Sequence, residues 1–239
     1  MYTIQTTLNG QLMLSMLAED IVLGIDDITV LQVNTDGLTV RMLRTDVARL
    51  HIICDEWEKT TNLTLEYMQY SKMMVRDVNN YSAITTDGKA KYKGAFEIEK
   101  DYHKDSSFKI IPIALSKYFF EGIPLEETIK NHTNIYDFCG RQKFVGKDRG
   151  EIHRVGDQEI IVETQQKNTR YYISQSGESF MKHYGKGSYE KIHKGYQVVI
   201  FNKYVEKSIK EYDIDYRFYI TECKKEIDQI ENKQLRLEI

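Results

Sequence analysis

Proline, cysteine and long apolar runs are scarce in this chain of 239 residues. With only two prolines and 14 glycines, a long flexible linker is not expected. The three cysteines, Cys54, Cys139 and Cys223, are odd in number and widely spaced, which excludes a disulfide framework and a Cys-x-x-Cys zinc site. We therefore expect a reducing, cytoplasmic setting. No apolar run reaches the roughly 20 residues that cross a bilayer, and the N-terminal residues do not resemble a secretory signal, so no membrane partner is predicted.

The composition is that of a soluble globular protein, with 41% hydrophobic and 29% charged residues. The net charge of -3 argues against a protein that coats nucleic acid over its whole surface. The charge is unevenly distributed, however, because residues 1–60 have a balance of -5 and residues 167–210 a balance of +6. Two interpretations stay open, either two different tasks on one molecule or an uneven surface without functional meaning.

Hydrophobic periodicity predicts the elements of the first half of the chain. A helix over 8–24, ended by Gly24, precedes strands at 28–33 and 38–43 and a second helix over 45–61. Thr45 or Asp46 is the expected cap of the second helix. A further hairpin is predicted from segments 71–84 and 89–98, joined at the turn signal Asp87-Gly88.

The pattern changes near residue 108, which places a predicted domain boundary between residues 1–107 and 108–239. Two or three short helices are expected over 110–141, with Pro124 in a first helical turn, and a final helix over 215–231. Between them, strands are expected at 151–155, 158–164, 169–177, 178–184 and 196–204. The predicted class is α+β, with an antiparallel sheet packed on helices followed by a mixed helical and β region.

The segment Asn34-Thr35-Asp36-Gly37, between the first two strands, allows two interpretations. In ordinary turn chemistry, Asn34 caps its own backbone and Gly37 supplies a positive φ. In a binding site, Asp36 is a carboxylate on a rigid support, which is how a Mg²⁺ ligand for phosphate chemistry is held. One or two carboxylates suffice, because Mg²⁺ retains water and substrate phosphate as its other ligands. The spacing alone favours the turn.

A second group of candidate residues is basic and aromatic and belongs to the second half of the chain. Lysine and arginine contacts to phosphate give sequence-independent affinity for nucleic acid. The alternative is a solvated basic face with the tyrosines in the core. The group consists of Lys167, Arg170, Tyr171, Tyr172, Lys182, Lys186, Lys191, Lys194 and Lys203.

Several segments resemble family B DNA polymerases, in the right order and over essentially the whole chain. "QVNTDGLTV" resembles motif C, usually written YGDTDS, and is closest to the variant of bacteriophage enzymes. "LNGQLMLSMLAEDI" is similar to the palm helix that follows motif B, and "MMVRDVNNYSAITTDGKAKYKGAFE" to the hairpin with the K-x-Y motif and the following Lys-Gly. "IIPIALSKYFFEGIPLEETI", "IYDFC" and "TRYYIS" are similar to thumb segments of the same phage enzymes.

The resemblance to motif C implies that Asp36 is a catalytic carboxylate that holds Mg²⁺. Asn34 stands where the family has its first Asp, so direct metal ligation by residue 34 is not implied, and Thr35 and Gly37 complete the motif. The motif therefore contains one carboxylate instead of two.

The resemblance also implies residues that contact primer–template DNA. Tyr81 matches the Tyr of K-x-Y, Asn79 replaces its Lys, and Lys93 matches the Lys of Lys-Gly. In the thumb-like half, nucleic-acid contacts are expected from Lys167, Arg170 and Tyr172.

Two polymerase motifs are missing from the sequence: the Asp of motif A and the nucleotide-binding Lys of motif B. Two-metal phosphoryl transfer needs carboxylates that clamp ions about 3.5–4 Å apart. The resemblance therefore implies a partial palm in 1–107 and a thumb in 108–239, which would act on primer–template DNA and dNTP together with an N-terminal polymerase chain that carries motifs A and B. We expect no polymerase activity from this chain alone.

The alternative is a non-catalytic nucleic-acid-binding or replication-assembly protein derived from a polymerase. A phage-encoded chain would work in the host cytoplasm.

Overall fold

A computed structural model describes residues 2–98, 107–156 and 159–234. The chain divides into two compact units, an N-terminal unit of Met1–Gly94 and a C-terminal unit of Ala95–Ile239. The boundary predicted from the sequence, at 107/108, lies C-terminal to this division. Helices and antiparallel sheets occur in both units, which confirms the predicted α+β class.

The first four elements of the N-terminal unit follow the sequence prediction. They are α1 (Tyr2–Gly24), β1 (Thr29–Val33), β2 (Leu38–Arg41) and α2 (Val47–Thr61), with β1 and β2 antiparallel. Asp46 occupies the N-cap position of α2, but its side chain makes no capping hydrogen bond. The core of these elements consists of Leu14, Leu17, Ile21, Ile25, Ile53, Cys54 and Trp57.

The remaining strands of this unit form a three-stranded sheet in the order β3-β4-β5. The strands are β3 (Tyr70–Asp77), β4 (Asn80–Thr85) and β5 (Ala90–Lys93). The prediction of one strand over 71–84 is wrong, because the chain turns after Asp77. The Asp77 carboxylate accepts hydrogen bonds from the backbone N–H of Asn79 (3.0 Å) and from Nδ2 of Asn80 (2.7 Å), and so closes that turn. The turn at Asp87-Gly88 is confirmed, with Gly88 at φ 84°.

The predicted helices of the C-terminal unit are confirmed as α3 (Ile110–Glu121), α4 (Leu125–Asn131) and α5 (Tyr216–Gln234), with a short 3-10 helix at Ile135–Phe138. Pro124 directly precedes α4. Both α3 and α4 pack against α5. At the start of α5, the buried Asp215 carboxylate accepts the backbone N–H of Arg217 at 3.1 Å, which satisfies a free donor of the first turn.

Two antiparallel sheets complete the C-terminal unit, in the orders β12-β9-β6 and β11-β10-β7-β8. The strands that the sequence predicted are β7 (Arg149–Val155), β8 (Ile160–Thr164), β9 (Asn168–Ser174), β10 (Ser179–His183) and β12 (Gln197–Ile200). Residue 158, the expected start of β8, lies outside the described residues. Two strands were not predicted, β6 (Cys139–Lys143) and β11 (Tyr189–Lys191).

Tyr219 joins the helical and β parts of the C-terminal unit. Its side chain is fully buried, and its hydroxyl donates to the Phe138 carbonyl at 2.7 Å and accepts the backbone N–H of Ile173 at 3.1 Å. Burial raises the pKa of Tyr219 well above its ordinary value, so it stays a neutral donor. Of the 17 tyrosines in the sequence, this one thus belongs to the core.

Candidate functional site

Asp36 lies at the tip of the β1–β2 hairpin. The turn is closed by the Asn34 N–H, which donates to the Gly37 carbonyl at 2.9 Å, and by the Asp36 N–H, which donates to Oδ1 of Asn34 at 3.0 Å. The predicted capping role of Asn34 is therefore confirmed. The predicted positive φ of Gly37 is wrong: no residue of 34–37 has a left-handed backbone. The Asn34 side chain closes the turn instead.

The Asp36 carboxylate is exposed, as is Thr35 beside it. Among the residues that the structure describes, no donor or cation pairs with this carboxylate. The backbone around it is fixed by the two turn hydrogen bonds and by the β1–β2 pairing. Asp36 thus offers a negatively charged oxygen ligand on an ordered support, which suits a hard divalent cation.

The hairpin tip offers a single carboxylate, from Asp36. Within 2–98, 107–156 and 159–234, no group of three or more His, Cys, Asp or Glu side chains could hold a metal ion. Oδ1 of Asn34 accepts the Asp36 N–H, so its place in the turn is structural. Asp36 fits Mg²⁺ as one ligand, and the other ligands would have to be water, substrate phosphate or a carboxylate of another polypeptide.

Tyr81 and Lys93, two residues expected to contact the primer–template, are brought together by the β4–β5 pairing. They are directly opposite in register, and Nζ of Lys93 lies 5.9 Å from the centroid of the Tyr81 ring. Residues that face each other across an antiparallel pair share one side of the sheet. An aromatic ring and a cation therefore lie next to each other on one sheet face.

Asn79, the residue in the place of the motif Lys, lies in the β3–β4 turn and is exposed. Its N–H is bound by Asp77, a residue that the sequence analysis missed. Burial alone would raise the pKa of Asp77, but hydrogen bonds from Asn80, from the Asn79 N–H and from Arg76 outweigh it and lower the pKa. The signal was present in the sequence, since an Asp two residues before an Asn is typical of an Asx turn.

The three expected nucleic-acid contacts of the C-terminal unit have different surroundings. Tyr172 is 4% exposed, and burial raises its pKa to about 12, so it belongs to the core and its ring has no free face for nucleic acid. Nζ of Lys167 donates to the carbonyls of Gly146 (2.9 Å) and Asp148 (2.6 Å), and so holds the β6–β7 turn. Of these three residues, only Arg170 lines the cavity described below.

Arg170 faces Arg141 directly across β9 and β6, and both line this cavity with Tyr136 and Tyr204. Arg141, Tyr136 and Tyr204 were not predicted from the sequence as functional residues. No local signal could have found them, because β6 was not predicted and these residues are far from Arg170 in the sequence.

Comparisons with known protein families, with curated proteins and with solved structures find no match to this chain. Within the described ranges, none of the helices has both the length and the apolar character needed to cross a membrane.

Proposed function

We propose that this chain is the palm and thumb part of a DNA-directed DNA polymerase, which adds deoxynucleotides to a primer 3′ end together with a polypeptide that carries motifs A and B. One observation carries the proposal: Asp36 is an exposed carboxylate at the tip of a hydrogen-bonded hairpin, and none of the residues that the structure describes pairs with it. The hairpin follows α1, in the order in which the family has its palm helix and motif C. The other segments that resemble phage polymerases support the same assignment.

In the proposed reaction, Asp36 would hold Mg²⁺ as one of its ligands, and the ion would act on the incoming dNTP. The bound ion supplies charge neutralisation and activation of the attacking 3′ oxygen. Asn34 keeps the tip in shape through its bond to the Asp36 N–H, so that the carboxylate meets the ion without a large rearrangement.

Lys93 and Tyr81 position the primer–template in this proposal, because their side chains share one face of the β3-β4-β5 sheet. The basic residues of 167–210 add contacts to phosphates that are independent of sequence. The setting is cytoplasmic, and the cysteines Cys54, Cys139 and Cys223, all free and buried, agree with a reducing compartment.

The test is primer extension with this chain and the polypeptide that carries motifs A and B, in the presence of Mg²⁺. Either polypeptide alone should give no extension, and the mixture should extend the primer. Asp36→Asn should abolish extension in the mixture and leave the affinity for DNA nearly unchanged, because the amide keeps the shape and loses the charge. Asp26→Asn, which changes another exposed carboxylate of the same unit, is the matched control and should retain extension.

Extension by this chain alone would contradict the proposal. Undiminished extension by the Asp36→Asn mixture would also contradict it, and would favour a non-catalytic nucleic-acid-binding or replication-assembly protein derived from a polymerase.

A further inference from the structure

A cavity of about 180 Å³ in the C-terminal unit brings two guanidinium groups next to two tyrosine rings. Arg141 on β6 and Arg170 on β9 are paired directly across the sheet, so their side chains share one face. The residues that define the site are Tyr136, Arg141, Asn168, Arg170, Asn202 and Tyr204.

Among the described residues that line this cavity, Arg141 and Arg170 carry positive charges. None of the described residues that line it carries a carboxylate. Nε of Arg141 donates to Oδ1 of Asn168 at 2.7 Å, which fixes the orientation of the guanidinium. Oδ1 of Asn202 accepts the backbone N–H of Arg170 at 2.9 Å, a bond that does not involve the Arg170 guanidinium. Within the described chain, this guanidinium has no hydrogen-bond acceptor or ion-pair partner, so an anion that enters would supply one.

The aromatic side of the cavity is flat and accessible. The rings of Tyr136 and Tyr204 are nearly parallel, with an interplanar angle of 13° and centroids 6.0 Å apart. The Arg170 guanidinium lies 5.6 Å from the Tyr136 centroid, and Tyr204 is 58% exposed. A second cavity, of about 350 Å³, borders the same two tyrosines and is also lined by Lys207. The two cavities therefore meet at a tyrosine pair with cations on both sides.

We propose that this surface binds an unpaired nucleotide, with its phosphate at Arg170 and Arg141 and its base stacked on Tyr204. An arginine fork matches the oxygens of a phosphate, and every base has a flat face that stacks on an aromatic ring. The same chemistry is offered by a free mononucleotide and by one nucleotide of a single strand. A duplex does not offer it, since its bases are already stacked inside the helix.

The nucleotide site shares Arg170 with the basic segment 167–210 of the proposed polymerase, but it uses neither the hairpin tip nor the Tyr81–Lys93 pair. An Asp36→Asn variant should bind the unpaired nucleotide as the parent chain does. If primer extension is absent, nucleotide binding can therefore still be measured, and the reverse also holds.

The experiment is fluorescence anisotropy of a fluorescein-labelled oligodeoxythymidylate with the purified chain at one fixed salt concentration. Tyr204→Ala should weaken binding about tenfold, the usual loss for one stacked base, whereas Tyr204→Phe should keep the affinity. Arg170→Ala should weaken it about tenfold or more, because a charged hydrogen bond to phosphate is lost. Lys147→Ala is the control, since it removes one positive charge from the exposed turn between β6 and β7, which lies outside 167–210 and lines neither cavity.

Competitors separate the two sources of the ligand. If dTMP displaces the oligomer, the site accepts a free nucleotide; if only unlabelled oligodeoxythymidylate displaces it, the site needs a strand. Both results support the proposal, provided that circular dichroism shows the variants to be folded. Four results would overturn it: no binding of the oligomer, displacement by inorganic phosphate as effective as by dTMP, an equal loss of affinity for a duplex of the same length on Tyr204→Ala, or equal affinities of Tyr204→Ala and Lys147→Ala for the oligomer.

Discussion

Lys93 and Tyr81 face each other directly across β5 and β4, with Nζ of Lys93 5.9 Å from the centroid of the Tyr81 ring. Val75 on β3 stands opposite Tyr81 on its other side, so Tyr81 lies on the central strand of this sheet. Tyr81 and Lys93 are both half-buried, and a cation above an aromatic face contributes about 0.5–1 kcal/mol or more at such a surface site. The pairing therefore keeps the lysine near one place on the sheet surface without removing its charge from solvent.

The first prediction concerns the affinity for primer–template DNA. Lys93→Ala should weaken binding by a similar factor for all sequences, and should reduce the slope of log affinity against log salt by about one, because one phosphate contact is lost. Lys89→Ala is the control, since the Lys89 ammonium is paired with Asp87 at 2.7 Å in the adjoining turn. Titrations at several salt concentrations measure both slopes. Equal slopes of log affinity against log salt for Lys93→Ala and Lys89→Ala would show that Lys93 does not contact the DNA.

The second prediction concerns Gly94, which follows β5 and has φ 64°. A Cβ atom at this position would clash with the carbonyl oxygen of Asn79 and with the side chain of Asn80. Gly94→Ala should therefore lower the free energy of unfolding by about 2–4 kcal/mol, since steric overlap adds to the backbone strain.

Gly88 offers a matched control for this substitution. It also has a positive φ, 84°, but nothing lies within 4 Å of a Cβ built there. Gly88→Ala should lower the free energy of unfolding by only about 1–2 kcal/mol. Urea denaturation followed by circular dichroism measures both values, and a larger loss for Gly88→Ala would contradict the contact that we assign to Gly94.

Local patterns predicted the elements well where the signal lay within one segment. Helical spacing and Gly24 gave α1, and the side chain of Asn34 closed its turn as its residue type indicates. The same rules failed at Val78 and Asn79. The run 71–84 has the residue types of a single strand, but the chain turns at these two residues. That turn depends on a carboxylate, Asp77, whose partners lie two and three residues away.

The candidate site was predictable only in part. The position of Asp36 in a turn follows from the residue types of 34–37, and Tyr81 and Lys93 fall in the two segments predicted to form one hairpin. The burial of Tyr172 does not, because it depends on Phe201 and Tyr212, whose rings lie 6.1 and 5.9 Å away and come from distant parts of the chain. The pairing of Arg141 with Arg170 likewise needs β6, which is too polar to give an apolar alternation.

The third prediction uses the single tryptophan of the chain, Trp57. It is 5% exposed, and its indole N–H donates to the Met13 carbonyl at 2.8 Å, which ties α2 to α1. Trp57→Phe should lower the free energy of unfolding by about 1–2 kcal/mol, because it removes a buried hydrogen bond and some packing volume. Leu23→Ala, at a position 79% exposed, should change it by less than about 0.5 kcal/mol. Chemical denaturation measures both values. Equal losses of unfolding free energy in Trp57→Phe and Leu23→Ala would contradict the role of Trp57.

The fourth prediction concerns acid stability and the Glu151 carboxylate on β7, which is 1% exposed. Burial alone would raise the pKa of Glu151, but hydrogen bonds from Nε of Arg149 (2.5 Å) and from His153 (Nε2 at 3.1 Å) outweigh it and lower the pKa. The folded protein thus binds this proton more weakly than the unfolded chain does. The contribution to stability is therefore complete above the ordinary glutamate pKa of about 4.3 and is lost as the pH falls through the lower folded value.

Glu151→Gln should remove this dependence. At pH 7 it should lower the free energy of unfolding by about 2–3 kcal/mol, because Arg149 and His153 lose a charged acceptor. Below pH 4 the variant and the parent chain should converge, since the parent carboxylate is then increasingly protonated. Glu163→Gln on the neighbouring strand β8, whose side chain is 63% exposed, should stay within about 0.5 kcal/mol of the parent at both pH values. Urea denaturation at pH 7 and below pH 4 measures these differences, and a constant gap between Glu151→Gln and the parent chain would show that the carboxylate does not titrate as its surroundings require.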